Sequence, residues 1–217
     1  MTASRRPRIA VVDYGAGNLV SIDQALERIG ADVTIAREPD DLRSPDGVVV
    51  PGVGAARPAM ERLDGMGLTG ALRPWLGGDR PFLGICLGLQ LLFDASDEDG
   101  AETLGAIAGR TVRLDAAPTL PHIGWNQVER TRDHPLFDGI ADRADFYFVH
   151  SYAGAPPRGG HATTDGDPLV LARTTHGRPF VSAVARGAMA GVQFHPERSG
   201  PDGLRLLANF VDIVRAA

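Results

Sequence analysis

Gly84-Ile85-Cys86-Leu87-Gly88-Leu89-Gln90 decides how the rest of the chain is read. An apolar run, Pro81-Phe82-Leu83-Gly84-Ile85, leads in, and a helix-compatible run, Leu87-Gly88-Leu89-Gln90-Leu91-Leu92-Phe93, leads out. The only cysteine stands between them with a glycine two residues away on each side. This is the spacing of a strand-to-helix nucleophile elbow with sulfur in place of oxygen. Glycines leave room for a turn that tight, and a helix N-terminus aimed at the sulfur favours thiolate. Cys86 is therefore the candidate nucleophile.

Upstream, the pattern alternates strand and helix. Arg8-Ile9-Ala10-Val11-Val12-Asp13 reads as a buried first strand. Gly15-Ala16-Gly17-Asn18 and a helically spaced set, Leu19, Ile22, Ala25, Leu26 and Ile29, follow it. A dinucleotide fingerprint would need a third glycine where Val20 sits, so this loop reads as a tight βα connection. Strands are expected at Asp32-Val33-Thr34-Ile35-Ala36 and Gly47-Val48-Val49-Val50-Pro51, with helices around Met60, Leu63 and Leu68 and from Ala71 to Leu76. Such alternation predicts a parallel sheet covered on both faces, with ligands at the carboxyl ends of its strands. The Gly52-Val53-Gly54 turn and the Cys86 elbow both lie at such ends.

After about Ala95 the runs shorten. Apolar stretches within 111–114, 124–128, 146–150, 169–172 and 180–184 predict a largely antiparallel β extension. A last strand over 190–195 and a helix over 202–214 complete what is expected to be one domain, 1–217. The acidic loop Asp97-Glu98-Asp99-Gly100 reads on its own as a solvated surface.

Composition sets limits. The chain has 217 residues, 43% hydrophobic and 23% charged, which suits a globular domain with a substantial core. A net charge of −5 without a basic stripe argues against nucleic acid. The apolar run behind Arg5, Arg6 and Arg8 is too short for a signal peptide or a membrane span. One cysteine fits a reducing compartment, and the expected location is cytoplasmic. Histidine and cysteine spacings give no metal site, and no cofactor is expected.

A cysteine nucleophile needs a base. His134, His161 and His176 lie in polar or Gly/Pro-rich stretches and read as exposed loop residues. His195 ends an apolar strand, and Glu197 stands two residues on, on the same side if the chain is extended. Alone, His195-Pro196-Glu197 reads more readily as a surface ion pair. Beside a cysteine elbow it becomes the base and its orienting carboxylate. The Leu87 N–H is the expected first oxyanion donor, and Val53 or Gly54 N–H the second.

Together, Pro51-Gly52-Val53-Gly54, the elbow and Val192-Gln193-Phe194-His195-Pro196-Glu197 resemble the class I, triad-type glutamine amidotransferases. Residues 13–18, Pro121-His122-Ile123-Gly124-Trp125-Asn126, residues 146–152 and Arg198-Ser199 resemble the glutaminase subunits of imidazole glycerol phosphate synthases within that class. The resemblance implies a flavodoxin-like α/β fold, a central mostly parallel sheet flanked by helices with an antiparallel β extension. It implies glutamine hydrolysis through a Cys86-His195-Glu197 triad, with ammonia passed to a (β/α)8-barrel cyclase partner in a heterodimer. It also implies substrate-binding roles for Gly52, Gln90, Glu98, His150, Ser151 and Tyr152, and a docking face including Asn18, Trp125, Asn126 and Arg198. The alternative within the class is a glutaminase of anthranilate or aminodeoxychorismate synthesis. Those usually read Pro-Gly-Pro-Gly where this chain has Val53.

Overall fold

The computed structural model describes residues 5–155 and 169–217. His161 lies outside them. Among the described residues one sheet has nine strands, and its first half is parallel. There β1 (Arg8–Val12) lies between β2 (Asp32–Ala36) and β3 (Gly47–Gly52), and β4 (Phe82–Cys86) lies between β3 and β12 (Met189–Val192). The second half is antiparallel and continues from β12 through β11 (Arg178–Arg186), β10 (Val170–His176) and β7 (His122–Arg130) to β8 (Ala144–His150). The β extension is thus an outgrowth of the same sheet.

Strands β1, β3 and β4 are buried almost throughout, so both faces must be covered. One core packs α1 (Leu19–Arg28) and α5 (Gly200–Ala216), through Ile22, Leu26, Leu207 and Phe210, against Ile9, Val11 and Val49. The other packs α2 (Ala56–Gly65) and α3 (Leu68–Gly77), through Leu63, Leu72 and Trp75, against Ala10, Val12 and Val48. No described helix is long and apolar enough to cross a membrane.

The stretch after the elbow departs from expectation. Helix α4 covers only Leu87–Gln90, and β5 (Phe93–Ser96) begins where the helix-compatible run ends. The N–H groups of Leu104, Ile107 and Gly105 donate to the carbonyls of Leu91, Leu92 and Phe93, so distant chain takes the acceptors that a longer helix would have used. Strand β5 joins a small separate sheet with β6 (Ile107–Arg113) and β9 (Tyr152–Ala155). The 111–114 run therefore leaves the main extension. A single turn also supplies local N–H donors near the sulfur rather than a long helix dipole.

Candidate active site

The elbow is built from close backbone approaches. Cys86 has φ 55° and ψ −107°, a conformation that non-glycine residues seldom hold unless their surroundings enforce it. A Cβ on Gly84 would lie 2.5 Å from the Gly88 carbonyl oxygen, and one on Gly88 would lie 1.8 Å from the Val50 carbonyl oxygen. Both glycines are required by space.

Sheet order brings three strand ends together. Gly52 of β3 pairs directly with Cys86 of β4, and Val192 of β12 pairs with Ile85. The chain leaving β12 therefore runs beside the nucleophile. His195 is anchored there by its N–H to the Tyr147 carbonyl, 2.8 Å, and by its carbonyl, which accepts from the Ser199 hydroxyl at 2.6 Å. β12 stops at Val192, short of the expected strand end, and Glu197 sits in a 3-10 turn over Pro196–Arg198. That turn, rather than extended chain, brings the carboxylate to His195 Nδ1 at 2.8 Å, with both side chains buried.

His195 Nε2 is turned to Cys86, buried and short of an aligned hydrogen bond, a common arrangement before substrate arrives. Burial disfavours the imidazolium. Hydrogen bonding and charge from Cys86 and Glu197 outweigh it and raise His195 to about 10. A sulfur, an imidazole and a carboxylate thus stand in the order that a nucleophile, a base and its orienting group need for acyl transfer.

Around the sulfur lies a polar wall. Gln193, fully buried, donates from Nε2 to Cys86 Sγ at 3.6 Å. Gln90 donates from Nε2 to Gln193 Oε1 at 3.1 Å and to the Tyr152 carbonyl at 2.8 Å. Sequence reasoning does not single out Gln193, although it stands within the strand-to-histidine motif. Across the site, Val53 is exposed, Gly54 has φ 98°, and neither N–H meets an acceptor among the described residues. Glu98 is exposed, and partial desolvation and the neighbouring Asp99 hold its carboxyl above the usual range. The Arg57 N–H donates to Asp99 Oδ2, 2.6 Å, tying the acidic loop to the chain beyond Gly54.

His150 differs from its expected part. Nδ1 meets the Tyr152 carbonyl at 2.8 Å and Nε2 meets His122 Nδ1 at 3.1 Å, so neither nitrogen is free for a ligand and the ring braces the wall behind Tyr152. His122 Nε2 takes a hydrogen bond from Asn126 Nδ2, 3.1 Å. This assigns the tautomers: each ring donates from Nδ1 and accepts at Nε2. His176, expected in an exposed loop, instead ends β10, half-buried and stacked on His122 with centroids 4.0 Å apart. His134 is half-buried and its Nδ1 caps a 3-10 turn through the Leu136 N–H.

These histidines make the fold acid-labile. Burial, together with neighbouring histidine charge and against the Tyr152 hydrogen bond, lowers His150 to about 3. Burial and His176 lower His122 to about 4. Between these values and 6.5 the unfolded chain binds protons that the folded chain refuses, so stability present above pH 6.5 is lost as pH falls. His195 acts oppositely: its contribution is complete below 6.5 and is lost as pH climbs towards 10. Urea unfolding of His150→Asn at pH 5 to 6 is expected to show a pH slope smaller by about one proton, about 1.4 kcal/mol per pH unit. An unchanged slope would assign the lability elsewhere.

The residues expected at a docking face divide. Trp125 is 58% exposed, edge-on to Tyr147, and the Arg198 guanidinium lies 4.3 Å over the Tyr147 ring. Asn18 caps α1 by accepting from the Ser21 N–H and is exposed. Asn126 turns the other way along β7 and spends its amide on His122 and the Thr175 carbonyl, so it supports the histidines and is withdrawn from the face. Among the described residues the exposed large apolar ones are Val20, Val53, Ile123 and Trp125, all in or beside the stretches expected to dock or to hold the oxyanion.

The model of the family "Glutamine amidotransferase class-I" matches residues 10–214. Imidazole glycerol phosphate synthase subunit HisH of a Synechococcus sp. strain is 48% identical over 212 residues, covering 95% of this chain and 93% of its own. The same protein of Chloroflexus aurantiacus is 45% identical over 208 residues, covering 94% of each. Among solved structures, PurLQS from Thermotoga maritima has a TM-score of 0.71 at 17% identity, over 96% of this chain and 99% of that one. This likeness speaks to the fold alone. A nucleophile elbow, a histidine–glutamate pair and a glycine-rich loop at adjoining strand ends, in a chain so matched from end to end, place it in one family: the chain belongs to the class-I glutamine amidotransferases, with the HisH subunits of imidazole glycerol phosphate synthase among its relatives.

Proposed function

We propose that this chain is the glutaminase subunit of an imidazole glycerol phosphate synthase, hydrolysing L-glutamine and delivering ammonia to a (β/α)8-barrel cyclase. The observation that carries the reading is the meeting of Gly52, Cys86 and the His195–Glu197 pair at the ends of β3, β4 and β12. The Cys86 thiolate attacks the side-chain amide carbon of glutamine. The oxyanion is held by the N–H of Leu87 and by Val53 or Gly54. The imidazolium of His195 protonates the departing nitrogen, leaving a thioester and free ammonia. The now neutral ring takes a proton from water, which attacks the thioester, releases glutamate and restores the pair. Glu197 fixes the ring through Nδ1 in both steps. Glu98 is a carboxylate suited to the substrate ammonium, and the segment Ser151-Tyr152, whose Tyr152 carbonyl holds Gln90 beside the sulfur, is the further candidate for substrate contact. In the cyclase, ammonia reacts with a ribulosyl-carboxamide nucleotide to give imidazole glycerol phosphate and aminoimidazole carboxamide ribotide. Val53, where chorismate-directed glutaminases carry proline, supports this reading over theirs.

The exposed Trp125 and Ile123, on one face of β7 with Arg198 stacked nearby, support docking beside the site. The test combines this chain with an imidazole glycerol phosphate synthase cyclase and follows glutamine-dependent imidazole glycerol phosphate. Product is expected only with both proteins present. Trp125→Ala is expected to weaken association at least about 30-fold by calorimetry. Absence of product with an active cyclase, or association indifferent to Trp125, counts against the assignment or the face respectively.

A further inference from the structure

We propose that Tyr14 is a positioning residue for the oxyanion: its hydroxyl, donated to the Pro51 carbonyl, fixes the base of the loop whose N–H groups are to receive the oxyanion. The proposal rests on the glutaminase reading and assigns a role to a side chain that touches neither substrate nor triad.

Tyr14 lies in the loop after β1, is 1% exposed, and donates to the Pro51 carbonyl oxygen at 2.9 Å. Its oxygen is wedged between the two turns that supply oxyanion donors. A Cβ on Gly52 would lie 2.1 Å from Tyr14 Oη and 2.9 Å from Leu87 Cβ, so hydroxyl, Gly52 and Leu87 share one small space. The Tyr14 hydroxyl stays protonated, because burial and the nearby Cys86 charge push it well up against the opposing pull of Arg62. It is therefore a permanent donor.

The donor is held from behind. Asp13 accepts from the Gly15 N–H at 3.1 Å and pairs with Arg37 at 2.9 Å, while Arg62 donates to the Gly15 carbonyl at 2.9 Å. Gly17, at φ 109°, packs so closely that a Cβ there would lie 3.4 Å from Gly52 N. Beyond Gly52, which still pairs with Cys86, the loop has little other restraint: Val53 is exposed, and a Cβ on Gly54 would meet nothing within 4 Å. The Pro51–Gly52 peptide is thus the last one held before the donors, by the pairing with β4 along the strand and by Tyr14 at the Pro51 carbonyl. Donors aimed at a developing charge act through preorganisation, so loosening their base lowers the rate and leaves ground-state binding in place.

Tyr14→Phe keeps the ring and removes the bond. In the assembled enzyme, kcat for glutamine hydrolysis is expected to fall about tenfold, less than the ~10²–10³ typical of losing a donor itself. KM is expected to stay within about twofold, and synthesis from added ammonia to stay unchanged. Hydrogen exchange of the free chain is expected to rise severalfold at residues 52–54 and nowhere in α5. The proposal is overturned if exchange at 52–54 is unchanged, or if kcat, KM and ammonia-driven synthesis deteriorate together, as general damage would cause. If the parent complex itself draws no ammonia from glutamine, the glutaminase reading fails, and exchange still decides whether Tyr14 secures the loop.

Discussion

Cys86→Ala is expected to lower glutamine-dependent synthesis by the assembled enzyme at least about 10⁴-fold while leaving synthesis from added ammonia within about twofold of the parent. The first half follows from chemistry: no other cysteine exists in the chain, and neither His195 nor Gln193, both directed at the sulfur, can replace it as a nucleophile. The second half follows from packing. Cys86 is 4% exposed and its truncation removes one side-chain atom from a core held by much larger groups, a packing loss of about 1 kcal/mol. Alanine inherits the strained backbone at φ 55° without adding to it. Parallel assays with glutamine and with ammonium chloride separate the halves. Equal loss of both activities would make Cys86 a requirement of assembly and remove it from ammonia production. Retention of the glutamine activity would remove it from the chemistry.

How much of this arrangement can be read from residues depends on how local each cause is. The elbow is legible because Gly84, Cys86 and Gly88 satisfy a geometric need within five residues. The strands β1, β3 and β4 are legible because burial on both faces writes a continuous apolar run. The His195–Glu197 pairing is legible as a pair of residues, but not its route, since a proline-led 3-10 turn replaces the extended chain. What stays hidden is set by distant partners. Phe93 to Ser96 has helix-compatible neighbours, yet residues 104–107 claim the carbonyls around it. Asn126 stands next to Trp125 in sequence and on the opposite face in space, because β7 alternates. His150 falls within a recognisable motif, but its bonds to His122 and the Tyr152 carbonyl make it a brace. Tyr14, Gln193 and Ser199 act through hydrogen bonds to Pro51, Cys86 and Tyr147 that reach across 37, 107 and 52 positions, separations at which periodicity carries no information.

Gly88→Ala tests whether the elbow is held by space or merely by habit of sequence. The added methyl would lie 1.8 Å from the Val50 carbonyl oxygen and 2.9 Å from its carbon, far inside contact distance, and both belong to backbone. Val50 cannot yield easily, because β3 is bonded on one side to β1 and on the other to β4, which carries Cys86 itself. Relief must come from displacing α4, which moves the Leu87 N–H and the sulfur with it. The expected cost is about 4 kcal/mol, at the high end for a single substitution, or a fall in the thermal midpoint on the order of 10 °C. Glutamine hydrolysis is expected to fall about 10²-fold or more in the fraction that remains folded, because misplacement by about 1 Å is costly to a preorganised site. Gly70→Ala supplies the contrast: that residue lies in α3 with nothing within 4 Å of an added Cβ, and helix propensity predicts a gain of up to about 1 kcal/mol. Calorimetry of the two variants beside the parent decides the matter. If Gly88→Ala melts with the parent and keeps its glutaminase rate, the approach of α4 to β3 is softer than these distances allow, and the second glycine of the elbow loses its physical reason.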